Sequence, residues 1–336
     1  MVTIADVARH AGVSPSTVSY VLSGKRAISA RTRERVEASI RALGYHPHAG
    51  ARALASSRAN VIALVVPLRT DMHVPIVLQI AMAIVTAARG HDHDVLLLTN
   101  DEGTEGLHRV ARSALVDAVI VMDVELHDPR APVLRELGLP SVLLGFPADA
   151  AGLTCVDLDF AAAAGRCVDH LADLGHTAVA LVGPPAGVLD RGTGFARRTL
   201  AGFERAAARR GVRAVVRPCD PAHEAVQATV KELLTEHPEV TGLVVHNEPA
   251  VPPLLEALRA QGVAVPGDMS VVAMGPEELA AQVSPRLTAV PIPAEEMGRR
   301  AVELLMAKLD GAGEVPDATL IPPRLVPGGS SAAPRR

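Results

Sequence analysis

Residues 3–23 read TIADVARHAGVSPSTVSYVLS, and this stretch predicts two short helices joined by a tight turn. Thr3 and Asp6 have the spacing of a capping box, in which a hydroxyl and a carboxylate satisfy the free amides at a helix N-terminus. Gly12 can take the positive φ that a tight turn between helices needs. Ser14 is predicted to cap the second helix. Pro15 suits its first position, because the amide that proline lacks would be unpaired there.

The second predicted helix has an apolar side and a small, uncharged side that carries hydroxyls. The residues predicted to face inward are Val18, Val21 and Leu22. Those left facing outward are Ser16, Thr17, Ser19 and Tyr20. An uncharged, hydroxyl-bearing helix face can enter the major groove of DNA without repulsion and can bond to phosphates and base edges.

The charge of the chain is distributed unevenly. Residues 1–60 hold nine Lys and Arg against three Asp and Glu, which gives +6, whereas the remaining residues carry −10. A basic head on an acidic body predicts that the head alone contacts a polyanion, although a solvated charged face would give the same count. Lys25 and Arg26 follow the second helix, where a flanking phosphate would lie. A third helix is predicted to begin at Ser29 and to stop at Gly44.

The run 3–54 resembles the DNA-binding head of the lactose/galactose repressor family. The matching segments are IADVA at 4–8, AGVS at 11–14, TVS at 17–19, VE at 36–37 and LGY at 43–45. The resemblance implies base contacts from Pro15, Ser16 and Tyr20, and DNA-backbone contacts from Ser14, Thr17, Ser19 and Ser29. Family members often have Arg where Tyr20 stands, and a tyrosine cannot make the bidentate contact of arginine with guanine.

Residues 46–56, HPHAGARALAS, resemble the hinge helix of the same family. That resemblance implies that Leu54 wedges into a central base step of the minor groove, with Ala51 and Arg52 along the groove. So short a segment is marginal as an isolated helix, and Gly50 costs it about 1 kcal/mol, so it is expected to order only beside its dimer mate on DNA. A flexible Ala/Ser linker is the alternative that the composition alone leaves open.

From residue 60 onward, short apolar runs alternate with helical stretches. The predicted strands are 61–66, 94–98, 118–122, 141–144, 179–182, 213–216, 242–246 and 270–273. The predicted helices are 74–89, 104–114, 132–137, 161–174, 196–210, 223–237, 250–261 and 295–309. Apolar strands that alternate with helices are typical of buried parallel sheets. The pattern predicts two doubly wound lobes with a ligand between them.

The predicted fold class is a small all-α helix-turn-helix head with a hinge helix, followed by an α/β two-lobed core. The predicted domains are a head at 1–45, a hinge at 46–58, a core at 59–330 and a flexible tail at 327–336. Within the core, one lobe is assigned 59–158 with a return at 287–300, and the other 159–286 with 301–326. The core resembles the repressor family at 166–176, 200–203, 265–272, 285–290 and 295–301, which implies a core like that of periplasmic sugar-binding proteins.

The ligand cleft is where the chain departs from the repressor family. Thr199 stands where an Arg usually binds the ligand, Gly275 where an Asp usually follows a strand, and Asn247 lacks the Asp that usually comes next. The chain has no Trp, four Phe and two Tyr, so surfaces on which a sugar ring could stack are scarce. Either the effector is not a typical sugar, or other residues hold it, or effector control is lost. The candidate contacts are Asp71, His73, Asp123, Leu158, Phe195, Arg197, Thr199, Asn247 and Gly275.

Several patterns that could suggest other chemistry are set aside. His91-Asp92-His93-Asp94 lies where a helix ends, as solvated loop residues do, and the glycines at 183–194 lack a dinucleotide fingerprint. Asp157 and Asp159 would share one face of a strand, and the resemblance to the repressor family implies a strand-to-helix junction in the cleft rather than a catalytic pair. Because no nucleophile–base arrangement stands out, we expect no enzyme activity, cofactor or metal.

The expected partners are a palindromic double-stranded DNA operator, a small-molecule effector and a second copy of the chain, because one head reads too few base pairs. No apolar run approaches the ~18 residues that span a bilayer, and no secretory signal is evident, so a cytoplasmic protein without membrane contact is expected. Cys155, Cys167 and Cys219 are expected to be reduced and buried. A free-standing solute-binding protein is the competing class. A protein of that class would be expected to have a signal peptide and no basic head, and this sequence shows the reverse.

Overall fold

The computed structural model describes residues 2–23, 26–45, 58–69, 72–113, 115–311 and 314–335. Its N-terminal head consists of α1 (Ile4–Ala11), α2 (Pro15–Ser23) and α3 (Ala30–Leu43). Val7, Val18 and Val36, one from each helix, are fully buried in one cluster with Tyr45. Three helices around so small a core form the helix-turn-helix unit that the sequence predicts.

The caps predicted for the head are present. The Thr3 hydroxyl accepts from the amide of Asp6 at 3.3 Å, while the Asp6 carboxylate accepts from the amide of Thr3 at 2.9 Å. Gly12 has a φ of 60°, the left-handed conformation that the turn between α1 and α2 requires. The Ser14 hydroxyl accepts from the amide of Thr17 at 3.2 Å and so caps α2. Leu22 was predicted to face inward but is 40% exposed, so the apolar side of α2 ends before it.

The first lobe of the core is built on a parallel sheet. In chain order it contains β1 (Val61–Val65), α4 (Val74–Arg89), β2 (Asp94–Leu98), α5 (Gly103–Arg112), β3 (Ala118–Val121), α6 (Arg130–Leu137), β4 (Ser141–Leu144) and β5 (Thr154–Leu158). The strand order is β2-β1-β3-β4-β5, and β11 (Ala318–Ile321) completes the sheet beside β5. β2 was predicted to be buried, but it is an edge strand, and its Leu97 is 49% exposed.

The second lobe is built on a parallel sheet with the strand order β10-β9-β8-β6-β7. Its elements are α7 (Phe160–Asp173), β6 (Ala178–Gly183), α8 (Ala186–Asp190), α9 (Gly194–Arg210), β7 (Arg213–Pro218), α10 (His223–Glu236), β8 (Gly242–Val245), a 3-10 turn (Glu248–Ala250), α11 (Val251–Ala260), β9 (Ser270–Gly275), α12 (Glu277–Gln282) and β10 (Thr288–Pro291). The helices cover both faces of the sheet, so β6, β8 and β9 are buried along their whole length.

The C-terminal return differs from the predicted division of the lobes. β10 pairs with β9 in the second sheet, whereas β11 pairs with β5 in the first. The intervening α13 (Ala294–Leu309) packs on α4 of the first lobe and buries Leu305 and Met306 there. The helices approach closely at Gly298, where an added Cβ would lie 2.6 Å from the Cβ of Ala83. Burial of this apolar helix face therefore places all of α13 in the first lobe, although residues after 300 were assigned to the second. β10, which was assigned to the first lobe, belongs to the second sheet, and β11, which was assigned to the second lobe, belongs to the first sheet.

The tail also differs from prediction. The composition of 327–336 predicts flexibility, yet Ser330 is fully buried. Its hydroxyl donates to the carbonyl of Val271 at 2.5 Å and accepts from the amide of Thr288 at 2.8 Å. The hydroxyl of Ser270 donates to the carbonyl of Ala332 at 3.0 Å and accepts from its amide at 3.0 Å. Serine hydroxyls thus supply backbone partners that fix the tail against β9 and β10.

Candidate functional site

The outward side of α2 is the first candidate contact surface. Ser14, Pro15, Ser16 and Tyr20 are exposed, and Thr17 and Ser19 are half-buried. The hydroxyl of Ser14 lies 2.8 Å from that of Ser16 and 2.9 Å from that of Thr17. The start of α2 therefore presents a cluster of hydroxyls beside helix amides, and such a helix start is suited to a phosphate oxygen.

Tyr20 and Arg26 form a pair at the far end of this surface. The guanidinium carbon of Arg26 lies 5.7 Å from the centroid of the Tyr20 ring, which is a cation–π distance. The pair places a phenol and a guanidinium side by side. One of them can therefore contact a base edge while the other contacts a phosphate.

Arginines surround the helices of the head. The exposed arginines in the described part of the head are Arg9, Arg26, Arg31, Arg33, Arg35 and Arg41. Ser29 is also exposed, at the start of α3. Arg9 pairs with Asp6 at 3.1 Å, but both side chains are open to solvent, so the pair contributes little and can exchange for a phosphate. The predicted contact residues Lys25, Ala51, Arg52, Leu54 and Asp71 lie outside the described residues.

A cavity of about 650 Å³ opens between the two sheets, at the carboxyl ends of their strands. Its first-lobe wall comes from α4 and the ends of β3, β4 and β5. Its second-lobe wall comes from the residues after β6, β7 and β8. The wall is mostly apolar and includes five prolines; its polar residues are His73, Asp123, Asp157, Arg191, Asp220, His246, Asn247 and Glu248. Clefts at this position of parallel sheets are the usual place for a ligand.

Four of the predicted effector contacts line this cavity, namely His73, Asp123, Phe195 and Asn247. Four others do not. Leu158 is buried in the core, Arg197 is exposed on α9, and the buried Thr199 hydroxyl donates to the carbonyl of Phe195 at 2.9 Å. Gly275 lies behind Glu248, since an added Cβ on Gly275 would be 2.8 Å from the Cγ of Glu248.

Several lining residues were not among the predicted contacts, although Asp157 was expected in the cleft. Asp157 lies near the end of β5, Asp220 follows β7, His246 follows β8, and Glu248 begins the 3-10 turn after β8. The signal that could have found them is their position at strand carboxyl ends, which converge on the cleft of a doubly wound sheet. Arg191 lies in the turn before α9, where no strand end marks it.

Burial shifts the pKa of several groups in the cavity wall. Desolvation raises the pKa of Asp157 to about 7 and that of Glu248 to about 7. Desolvation lowers the pKa of His246 to about 4, so this imidazole is neutral at pH 7. Nδ1 of His73 lies 3.7 Å from Oε2 of Glu248, and burial lowers the pKa of His73 as well. The wall therefore holds two buried carboxyl groups but only neutral imidazoles.

The side-chain amide of Asn247 is already occupied. Its Nδ2 donates to the carbonyl of Gly183 at 3.1 Å and to the carbonyl of Cys219 at 2.7 Å. An amide nitrogen has two hydrogens, so neither remains for a ligand. Asn247 therefore fixes the ends of β6 and β7 next to its own strand, β8.

The two lobes also touch directly beside the cavity. Arg198, on α9 of the second lobe, donates to the carbonyl of Phe146 in the first lobe at 2.6 Å. The amide of Gly194 donates to the carbonyl of Val124 across the same boundary at 2.8 Å. These two bonds join α9 of the second lobe to the segments that follow β3 and β4 in the first lobe.

Comparisons with known proteins agree with this architecture. A family model described as "Bacterial regulatory proteins, lacI family" matches residues 3–48, and one described as "Periplasmic binding protein-like domain" matches 168–331. The chain is 30% identical over 320 residues to the HTH-type transcriptional regulator CelR of Thermobifida fusca, with 92% of each protein covered. It is 29% identical over 322 residues to the HTH-type transcriptional regulator GalR of Escherichia coli K12, covering 92% of this chain and 90% of that protein.

Solved structures show the same arrangement. The lac repressor dimer bound to operator and the anti-inducer ONPF matches with a TM-score of 0.83 at 26% identity, over 99% of both chains. The CelR–cellobiose complex matches with a TM-score of 0.70 at 27% identity, over 98% of this chain and 100% of that one. The head and the two-sheet core define a DNA-binding transcriptional regulator rather than an enzyme. The chain belongs to the lacI family of bacterial regulatory proteins.

Three further observations concern the described part of the chain. None of its helices is long and apolar enough to cross a membrane. No group of three or more His, Cys, Asp or Glu side chains in it is placed to hold a metal ion. Cys155, Cys167 and Cys219 are buried and form no disulfide, as the sequence predicts.

Proposed function

We propose that this regulator is a cytoplasmic repressor that binds a palindromic operator as a homodimer and responds to a small molecule in the cavity between its lobes. The observation that carries the proposal is the exposed hydroxyl face of α2, held on a capped helix-turn-helix in the same chain as a two-lobed core. The relative solved as a dimer on its operator has the same layout over nearly the whole chain.

The proposed DNA contacts lie in the head and in the hinge. Pro15, Ser16 and Tyr20 contact bases in the major groove; Ser14, Thr17, Ser19, Lys25, Arg26 and Ser29 contact the DNA backbone. Ala51, Arg52 and Leu54 contact the minor groove in the hinge. Hydroxyls and arginines suit the first two tasks because phosphate contacts position the head while base edges specify the sequence.

The proposed dimer surface lies on the first lobe. Large apolar side chains are exposed there on α4, on the edge strand β2 and just after β1; they are Leu68, Val74, Leu78, Met82, Leu96 and Leu97. The α4 members are spaced four residues apart, so they share one face of the helix, and α4 contacts β2. Several exposed apolar side chains on one well-packed lobe are typical of a protein interface. A second copy fits because a two-fold dimer would place two heads on one palindrome.

The proposed control acts through the lobes. A ligand that fills the cavity contacts α4 of the first lobe and the strand ends of the second, so its binding energy can differ between two lobe angles. Only such a difference in affinity between the DNA-competent and incompetent states can couple the cavity to the operator. The wall does not favour a typical sugar, because its polar groups are few and several of them are already bonded within the protein.

The test is operator selection from random duplex DNA with the full chain, followed by mobility shifts on the selected sequence. We expect a palindromic consensus and an affinity that falls steeply with salt, because several phosphates are contacted. The double variant Ser16→Ala/Tyr20→Ala is expected to lose the sequence preference. Glu256→Gln, on the exposed face of α11, serves as the matched control and should bind like the wild type. Binding by the double variant that equals the wild type would overturn the proposal.

A further inference from the structure

The cavity wall has an unusual set of polar groups. Among its described lining residues there is no Ser, Thr, Tyr, Gln, Trp or Lys. The amide nitrogen of Asn247 is used within the protein. A ligand with many hydroxyls needs a converging set of donors and acceptors to replace its water, and this wall does not supply one. Its remaining polar lining consists of four carboxyl groups, two histidines and Arg191.

The carboxyl groups differ in how they are partnered. Asp123 forms an ion pair with Arg69, and Asp220 is exposed. Asp157 and Glu248 are buried, and within the described residues neither forms an ion pair with an arginine or lysine. Among the described residues, Asp157 accepts from the amide of Leu158 at 3.0 Å, and the charge of Arg198 acts to lower its pKa. Glu248 has a hydrogen bond from its own backbone amide and has the neutral His73 at 3.7 Å. Each of these two buried carboxyl groups lines the cavity and has lone pairs beyond those that its hydrogen bonds use.

An aromatic cluster beside these carboxyl groups is an independent feature of the same cavity. The ring of His246 stacks on Phe160 with centroids 5.5 Å apart and meets Phe195 edge-on at 5.5 Å. Within the part of the chain that the structure describes, Nδ1 of His246 has no hydrogen-bond partner, although His246 is only 3% exposed and lines the cavity. A buried polar atom of this kind is usually satisfied, so Nδ1 of His246 is open to a partner that the described residues do not supply.

We propose that the cavity binds an organic cation: an aliphatic amine carried on an apolar, ring-sized body. The ammonium group lies between Asp157, Glu248 and the imidazole of His246, and the body packs against the aromatic cluster and the prolines. The proposal rests on the proposed function, since it names the chemical class of the effector for the same cavity. A cavity of about 650 Å³ is within the size range of small-molecule sites.

The protonation of the wall gives this class a pH signature. Desolvation holds the pKa of both Asp157 and Glu248 at about 7, and a bound ammonium must lower both values. Below pH 7 the amine can bind only by displacing protons, so its affinity should fall about tenfold from pH 8 to pH 6 for each carboxyl group that ionises. The other charged or titratable groups that face these two are His73, Asp123, Asp159, Arg191, Arg198, Asp220 and His246. The pKa values of His73 and His246 are lowered, so their protonation does not produce the change at pH 7.

The test uses three amines as probes, 2-phenylethylamine, tryptamine and cyclohexylmethylamine, each matched with the alcohol of the same carbon skeleton. Thermal shift and calorimetry on the full chain should show binding of at least one amine, with weak or no binding of its alcohol. Glu248→Gln and Asp157→Asn should each weaken that binding by about tenfold to a hundredfold, as loss of a charge-assisted bond does. Glu256→Gln is the control variant and should leave the affinity for the amine unchanged. Circular dichroism of each variant verifies its fold. If only one of the two carboxyl variants folds, that variant is enough to test the proposal.

Three results would overturn the proposal: none of the amines binding at 10 mM, alcohols binding as tightly as amines, or unchanged amine affinity in the two carboxyl variants. These results are distinct from failure of the proposed function. If the chain selects an operator and its operator binding changes in response to cellobiose or D-galactose, the proposed function is supported and only the proposed ligand class is wrong. If no operator is selected, the proposed function itself is wrong, whatever the binding measurements with the amines show.

Discussion

His73 and Glu248 meet across the cavity, with Nδ1 of the imidazole 3.7 Å from Oε2 of the carboxyl group. His73 precedes α4 in the first lobe, and Glu248 follows β8 in the second. Burial raises the pKa of Glu248 to about 7 and lowers the pKa of His73, so neither residue is fully charged near neutral pH. The lobes thus approach each other here through two groups whose pKa values burial shifts toward their neutral forms.

The first prediction concerns the stability cost of Glu248. A carboxyl group whose pKa is higher in the folded chain than in the unfolded chain stabilises the fold at low pH and loses that contribution as pH rises. For Glu248 the loss develops between the ordinary value of 4.5 and the folded value of about 7. Glu248→Gln should therefore raise the free energy of unfolding relative to the wild type by up to about 3 kcal/mol at pH 8 and have little effect at pH 4.

Urea unfolding at pH 4 and pH 8 measures this difference. The exposed Glu256→Gln should show no such dependence on pH. A Glu248→Gln effect of the same size at both pH values would show that the carboxyl group is not held protonated by burial.

The sequence predicts the head better than it predicts the cavity. The caps at Thr3 and Ser14 are local, since each depends on residues within three positions, and both are present. Which strand ends converge depends on the crossover order of the whole sheet, and this explains why Asp220 and His246 were missed as lining residues. The short β11 reads like any four-residue apolar run, so its pairing with β5 could not be derived from periodicity.

The second prediction concerns the proposed dimer surface. Leu78 is 51% exposed on α4, at the centre of the apolar face that is spaced at four residues. Leu78→Glu should dissociate the dimer and weaken operator binding, because a charge cannot be buried against an apolar partner without a large desolvation cost. Sedimentation and mobility shifts measure the two effects.

Leu320 provides a matched control. It is 49% exposed on β11, which is the edge strand opposite β2 in the same sheet. Leu320→Glu should leave the oligomeric state and operator affinity as in the wild type. Dimers that persist in Leu78→Glu, or are lost equally in both variants, would place the interface elsewhere.

The third prediction compares two glycines that both lie within helices. At Gly298 an added Cβ would lie 2.6 Å from the Cβ of Ala83 and 2.9 Å from the carbonyl oxygen of Ile80, so α13 would have to move off α4. At Gly165 in α7 the nearest atom, the Cβ of Ala206, is 3.8 Å away. Gly298→Ala should destabilise the chain by about 1–3 kcal/mol, whereas Gly165→Ala should be neutral or stabilising by up to about 1 kcal/mol. Urea unfolding distinguishes them, and similar effects at both sites would mean that the helices are not in close contact.

The last prediction concerns the base preference set by Tyr20. Its ring pairs with the guanidinium of Arg26 at 5.7 Å, and it has one hydroxyl with which to contact a base. Tyr20→Arg replaces that hydroxyl with a planar donor pair that fits the two acceptors of guanine. It should therefore introduce a guanine preference worth about 1–3 kcal/mol at one position in each half-site. Selection from random DNA with the wild type and with Tyr20→Arg measures the change. The rest of the consensus should be unchanged because Ser16 and Pro15 keep their places on α2. A consensus that is identical for both proteins would show that this position of α2 does not face a base.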